Sequence, residues 1–532
     1  MLNCSSWHGG QLLAFSGLDG ETDYAHGLTA RTAFDGPAIL FTLPGRGRVT
    51  FPEALDRNIC IAGDWFTLGA GPVVTGVLLD ACHLLIQGAC AVSEMTPALS
   101  VLRKGNRTLV GSTSCFDPGL ITADADLALQ ARRGWLESLR FPEKVPPRAE
   151  RTLVKAWSIL KSQVYSPEGR IRHRWTTPDR WPHRQMWLWD SAFHAIGLRH
   201  LDPALARDAI RAVFDMQSPD GFVPHRMNPS DHSSITQPPI LALSAKLTQD
   251  VEPDEAWLRD LYPRLRSYLE WDLHHRDREH CGLLSWQIDG DPLCRSGESG
   301  MDNSPRFDAA TRLEAVDFNS YLSQEYRIMA GFARELGLTG EAVSWMARHE
   351  QLNQRISSRL WSDEAGFFLD LDSERGAHSP ILASSGFLPL ICGAATKKQA
   401  SRLAECLTDS TKFGTAFPVP SIAAFDVDHY AKDMWRGPVW VNINWLIARG
   451  LEDYGFLNLA ENLRTRTLEE IEKGCEDFGT LFEFYDDRGE CPPPHLLRKG
   501  ECAPESSPYH QVFHDYGWTA ALYVDFAYTR HG

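Results

Sequence analysis

Two stretches far apart in the chain each hold an acid in a setting suited to proton transfer. Residues 296–308 read SGESGMDNSPRFD, where glycines, serines and a proline enclose Asp302 in a rigid, non-helical turn. Met301 and Pro305 flank it, and partial desolvation of that kind raises a carboxyl pKa toward that of a general acid. Glu298 and Asp308 are local rivals, and Arg306 either binds substrate or pairs with Asp308. Residues 480–490, TLFEFYDDRGE, set Glu483 between Phe482 and Phe484. In an extended segment its side chain faces opposite to both rings. Taken singly, each acid also fits a structural role, as a turn former or a solvated edge.

Aromatic residues gather in similar stretches. Residues 174–190, RWTTPDRWPHRQMWLWD, carry Trp175, Trp181, Trp187 and Trp189 beside His183, Arg184 and Asp190. Residues 433–445, DMWRGPVWVNINW, place Trp435, Arg436 and Trp440 before a helix, with Asn442 and Asn444 as helix-capping groups. The chain has 17 tryptophans, many outside periodic segments, so packing alone is a weaker reading than platforms for the apolar face of a sugar ring.

The elements that must position these groups fall into two parts. Residues 1–120 read as a β-sandwich-like domain, with short apolar runs at 38–43, 73–79 and 84–87 separated by Gly, Pro and Asp turns. Residues 121–147 read as a linking helix followed by a Pro-punctuated turn. From 148 to 532 the helical period dominates. Leu205, Ala209, Ala212, Val213 and Met216 recur at helical spacing behind Asp202 as N-cap and Pro203 at the first helical position. Roughly a dozen such stretches, among them 380–390, are joined by loops of unequal length. The long loops carry most of the tryptophans and paired charges. Six helical hairpins could close into a toroid with those loops at one mouth.

Composition removes several classes. The net charge of -16 without a basic stripe argues against nucleic acid. There is neither an apolar run long enough for a membrane span nor a secretory leader at the N-terminus, which points to the cytoplasm. The 12 cysteines are scattered with no CxxC pair, so reduced thiols are expected and zinc ribbons are not.

Several segments occur together in a fixed order: WLWDSAFH at 187–194, PDGFVPH at 219–225, the Gln237-Pro238-Pro239 turn, SGMDNSPRFD at 299–308, WRGPVWVNINW at 435–445, FEFYDDRGE at 482–490 and GWTAAL at 517–522. As a set, over about residues 148–530, they resemble glycoside hydrolase family 63. The resemblance implies an α+β architecture, a β-sandwich-like domain followed by an (α/α)6 barrel, and inverting, exo-acting hydrolysis of a small α-glycoside of the α-glucosidase type. It places the general acid at Asp302 and the general base at Glu483, with Glu490 the alternative for the base. Trp187, Trp189, Asp190, Gln237, Trp435 and Arg436 match sugar-binding positions.

His225, Arg306 and Trp440 complete the expected wall, and Arg436, Arg184, His183 and His225 are candidate readers of an acidic aglycone. No cofactor or metal is required, and the expected partner is a small oligosaccharide or glycoside. Two other readings remain open. A sugar epimerase on the same toroid would use His183 and His225 as acid and base, and a non-catalytic carbohydrate binder would keep the aromatics alone.

Overall fold

A computed structural model describes residues 7–52, 59–69, 73–143 and 145–531 of the chain. The N-terminal part contains two antiparallel sheets. One has strand order β1 (Leu12–Ala14), β2 (Thr29–Thr32), β3 (Ala38–Leu43), β4 (Gly47–Thr50) and β9 (Ala91–Ser93). The other runs β10 (Leu99–Lys104), β11 (Arg107–Ser112), β8 (His83–Gln87), β7 (Val74–Asp80), β6 (Trp65–Leu68) and β5 (Cys60–Ile61).

The two-residue period of a strand sorts their side chains. Ile39 and Phe41 of β3 meet Leu84 and Ile86 of β8 and Phe66 of β6 in a core shared by the two sheets. Leu85, Val77, Trp65 and Leu109 point the other way and join the core of the helical part. The larger sheet is therefore apolar on both faces, and helix α1 (Ala125–Ser138) lies against β7.

The rest of the chain is helical: α2 (Pro147–Ser162), α3 (Leu188–Leu198), α4 (Pro203–Asp215), α5 (Leu241–Val251), α6 (Glu255–Arg276), α7 (Val316–Glu335), α8 (Thr339–Arg359), α9 (Pro389–Cys392), α10 (Lys397–Thr408), α11 (Val441–Asp453), α12 (Leu457–Phe478) and α13 (Gly517–His531). Helix α3 packs on α5, α5 on α7, α7 on α9, α9 on α11, α11 on α13, and α13 returns to α3. Sequence pattern decides which helices lie inside. Every residue of α3 is buried, as a helix apolar on all sides requires. Helix α8 buries Ala342, Trp345, His349, Leu352 and Ile356, a single stripe at helical spacing, and so lies outside against α7. The Asp202 carboxylate caps α4 by accepting from the Ala204 amide at 2.9 Å, with Pro203 at the first helical position.

Two expectations need correction. The segment 380–390 is not a full helix: a 3-10 turn at Ser384–Phe387 leads into the one-turn α9, because Ser384, Ser385 and Gly386 interrupt the apolar run and Pro389 fits only a first turn. The cysteines are not all reduced, since Cys82 and Cys115 form a disulfide that ties the start of β8 to the turn after β11. No helix among the described residues is long and apolar enough to cross a membrane.

Candidate active site

The functional side chains precede or begin the inner helices, so they collect at one end. Asp190 lies in the first turn of α3, Gln237 ahead of α5, Asp302 ahead of α7, and Trp435 and Trp440 ahead of α11; Glu483, Tyr516 and Trp518 lie ahead of and at the start of α13. With Pro178, His183, Trp187, Trp189, Gly300, Met434 and Arg498 they line one pocket at this end of the helices.

Aromatic rings build the wall. Trp435 stacks on Trp440 with centroids 3.8 Å apart and planes 3° from parallel. Trp518 stands edge-on to Trp189 at 5.1 Å and to Tyr516 at 4.9 Å. Gly300 has φ +70°, and a Cβ there would lie 2.4 Å from the Trp189 ring, so only glycine lets the acid-bearing loop approach this indole. The Gln237 side-chain oxygen accepts from the Trp189 amide at 3.2 Å, fixing that side chain beside the pocket.

The acid-bearing loop is tied to the Trp435 segment through Asn303. Its side-chain oxygen accepts from the Trp435 amide at 3.0 Å, and its carbonyl accepts from Arg436 Nη1 at 3.1 Å. The Asp302 carboxylate is about a quarter exposed and has Lys499 Nζ at 3.7 Å. Glu483 is fully buried on a segment held from both sides. Its amide donates to the Phe513 carbonyl at 3.0 Å, and Tyr485 exchanges backbone hydrogen bonds with Val439. Its carboxylate receives Arg498 Nε at 2.9 Å and Nη2 at 3.3 Å.

Several acids share this water-poor space. Burial raises the pKa of Glu483, with Arg498 opposing. Burial and then Glu483 push Asp190 well above the ordinary carboxylate range, and burial brings Asp179 to about 7 against the pull of Arg31. Burial thus favours the protonated form of Asp190. Tyr516, whose hydroxyl donates to Asp190 at 3.4 Å, is likewise held neutral by burial.

Some expected side chains lie elsewhere. Arg306 is buried beneath the loop, ion-paired with Asp317 and with Asp370 at 3.1 Å, so it braces the turn and does not line the pocket. Arg436 grips Asp308, with Nη1 at 3.2 Å from Oδ1. His225 sits behind Trp187, ring centroids 5.0 Å apart, with Nδ1 on the Ser233 hydroxyl; burial lowers it to about 3. Glu298, the local rival, is locked to Arg276. Glu490 is the outer partner of Lys432 at 2.9 Å, away from the pocket. His183 does line the pocket, but burial and the charges of Arg498 and Lys499 push it well below the usual histidine value. Of the two histidines an epimerase would need, only His183 lines the pocket, while His225 lies behind Trp187.

Arg498, Lys499, Asp179, Met434 and Tyr516 were not readable as site residues. Trp518 stood in a quoted motif, but no role followed from it. The N-terminal sheets also reach the site. Arg31 of β2 donates to the carbonyls of Asp179 at 3.0 Å and Trp181 at 2.6 Å, and Lys155 pairs with Asp515 at 2.6 Å beneath the Glu483 segment.

The profile of the mannosylglycerate hydrolase MGH1-like glycoside hydrolase domain matches residues 183–519, which is more than half of the chain. The chain belongs to glycoside hydrolase family 63. It is 28% identical over 396 residues to mannosylglycerate hydrolase of Thermus thermophilus, covering 59% of this chain and 92% of that one. It is 26% identical over 464 residues to mannosylglycerate hydrolase MGH1 of Selaginella moellendorffii, covering 72% and 88%. The crystal structure of a family 63 mannosylglycerate hydrolase from Thermus thermophilus in complex with glucose superposes with a TM-score of 0.57 at 27% identity, over 70% of this chain and 99% of that one. This family 63 chain is thus a glycoside hydrolase with N-terminal sheets and a helical C-terminal part.

Proposed function

We propose that the chain is an inverting, exo-acting α-glycosidase on an (α/α)6 barrel, with Asp302 as general acid and Glu483 as general base. The observation that carries this reading is that two acids about 180 residues apart in sequence face one aromatic pocket. Protonated Asp302 gives its proton to the glycosidic oxygen as the bond to the anomeric carbon breaks. A water on the opposite face attacks that carbon, and Glu483 takes the water's proton. This chemistry asks for carboxyl groups about 6.5–9.5 Å apart. The inner circuit from α3 through α13 and back supports the barrel reading, and it presents helix N-termini, which favour carboxylates, to the mouth.

Asp190 and Gln237 would read sugar hydroxyls, while Trp189, Trp435 and Trp518 would pack the ring faces. A pocket closed by that many rings suits one terminal sugar, glucose or mannose. Lys499 Nζ stands 3.7 Å from the partly exposed Asp302 carboxylate, beside which the departing group would sit, which favours a short acidic aglycone such as glycerate. The names of the similar hydrolases support the same class. The test is a panel of α-glucosyl- and α-mannosylglycerate, trehalose and maltose, run with the wild type, Asp302→Asn and Glu483→Gln. Release of one monosaccharide by the wild type alone supports the reading. Comparable turnover by either variant defeats it.

A further inference from the structure

Arg498 and Lys499 are consecutive residues of the long loop between the Glu483 segment and α13, and they meet the two candidate catalytic acids, one each. Arg498 is wholly buried and is held on three sides besides Glu483. Its Nη1 donates to the Tyr509 carbonyl at 3.1 Å, its guanidinium lies 4.0 Å over the Phe513 ring, and the loop around it is anchored by the Gly500 amide on Asp433 at 2.9 Å and the Leu497 amide on the Lys432 carbonyl at 2.8 Å. A guanidinium fixed in this way has little freedom left to lose when it binds a carboxylate.

The other charges around Glu483 make the pairing consequential. Burial raises the pKa of Asp179, Asp190 and Tyr516 beside it, Asp302 faces it across the pocket, and Asp433 lies beyond Arg498. His183 stays neutral, and Lys499 is engaged with Asp302. Glu483 is thus crowded by other carboxyls, and as the base it is the one that must be ionised. Arg498 is the cation in direct contact with Glu483. Its fork occupies one lone pair on each oxygen and leaves the others for water.

We infer that Arg498 is the positioning residue for the general base: it selects Glu483, among the crowded acids, as the ionised one and fixes its orientation toward the attacking water. This inference rests on the reading of Glu483 as base. It would give the loop carrying Arg498 a part in the reaction, through the carboxylate it holds.

The experiment compares Arg498→Gln and Arg498→Lys on whichever glycerate glycoside the wild type cleaves, with Glu483→Gln in parallel. Arg498→Gln should lower kcat by about 10²-fold, the usual result of a misplaced reacting group, with a much smaller change in KM. Its acid limb in the kcat/KM profile should move to higher pH, because Glu483 then loses the charge that keeps it ionised. Arg498→Lys should hold the limb near the wild-type position while losing part of kcat, since it keeps the charge without the fork. Millimolar guanidinium should raise the rate of Arg498→Ala but not of the wild type. If both variants lose activity equally with an unmoved limb, or if Arg498→Gln keeps kcat within about twofold, the inference is overturned. Should Arg498→Gln fail to fold, the Arg498→Lys profile and the guanidinium rescue decide it alone. A fully active Glu483→Gln would instead bring down the base assignment itself.

Discussion

Two hollows in this molecule are rich in acids and histidines, and they differ in how those groups are satisfied. Between the N-terminal sheets and the helical part, Asp23, His26, Asp80, His83 and Glu168 line a hollow larger than the aromatic pocket. There His83 is shared between Asp80 at 2.8 Å and the Asp117 amide at 2.8 Å, His26 meets Asp23 at 3.2 Å, and Glu168 accepts from the Tyr24 amide at 2.9 Å. Burial raises Glu168 above its ordinary value, whereas at Asp80 His83 and the Cys82 and His83 amides outweigh burial and leave the carboxyl below it. In the aromatic pocket the acids are buried beyond what their partners offset, and Asp179, Asp190 and Glu483 are all raised. Charge content therefore does not mark the site. Acids gathered against an aromatic wall do, because there a sugar ring can stack while its hydroxyls meet the carboxyls.

The largest effect that tests this contrast is loss of proton transfer. Asp302→Asn and Glu483→Gln should each cut turnover by at least about 10²–10⁴-fold, Asp302→Asn with an unchanged thermal transition and Glu483→Gln with a lowered one, because it leaves buried Arg498 without its counter-charge. Near wild-type rates in either would remove that acid from the mechanism. Next comes the close packing of the pocket wall. Gly300→Ala should push Trp189 out of place at a cost of about 1–3 kcal/mol, seen as a raised KM and a lowered melting temperature. An unchanged KM would mean that the indole is not part of the sugar site.

A smaller effect concerns stability. The folded pKa of Asp179 is raised to about 7, so its contribution is fully present below the unfolded value and is lost as pH rises through about 7. Asp179→Asn keeps the acceptor for the His183 amide and cannot ionise. Its melting temperature should exceed that of the wild type by a few degrees at pH 8, with the gap shrinking steadily on acidification and closing only below the unfolded carboxyl value of about 4. A constant gap would show that ionisation of this acid is not what strains the pocket.

The smallest effect belongs to the other hollow. Asp80 has a depressed pKa, so its contribution is present above the unfolded value and lost as pH falls through the folded one. Asp80→Asn should cost less than about 1 kcal/mol at neutral pH, fade on acidification, and leave kcat/KM untouched. A drop in kcat/KM would erase the distinction between the two hollows.

How far the sequence reaches follows the same division. Helix α4 was legible because Asp202, Pro203 and the apolar period all agree, and β3 because its apolar run ends at turn residues. Trp189, Asp190, Trp435 and Glu483 were legible because they sit in dense, ordered motifs. Arg498 and Lys499 were not, since they lie in a Pro-rich, polar loop where nothing in the local pattern indicates that two neighbouring cations fold back onto two distant acids. Arg306 and Arg436 were placed at substrate from their motif neighbours, whereas the fold uses them to pair Asp317, Asp370 and Asp308 behind the wall. Local sequence names the charges near a site. Which of them face inward depends on partners supplied from elsewhere in the chain.

The central claim is that Glu483 delivers water to the anomeric carbon while Asp302 protonates the departing oxygen. Proton NMR of the first-formed sugar, recorded before mutarotation on the α-glycoside that the wild type turns over, tests it most directly. The account predicts that the β-anomer appears first and relaxes to the equilibrium mixture, since one displacement inverts the centre. Initial release of the α-anomer would mean two displacements through a covalent intermediate, and would contradict it.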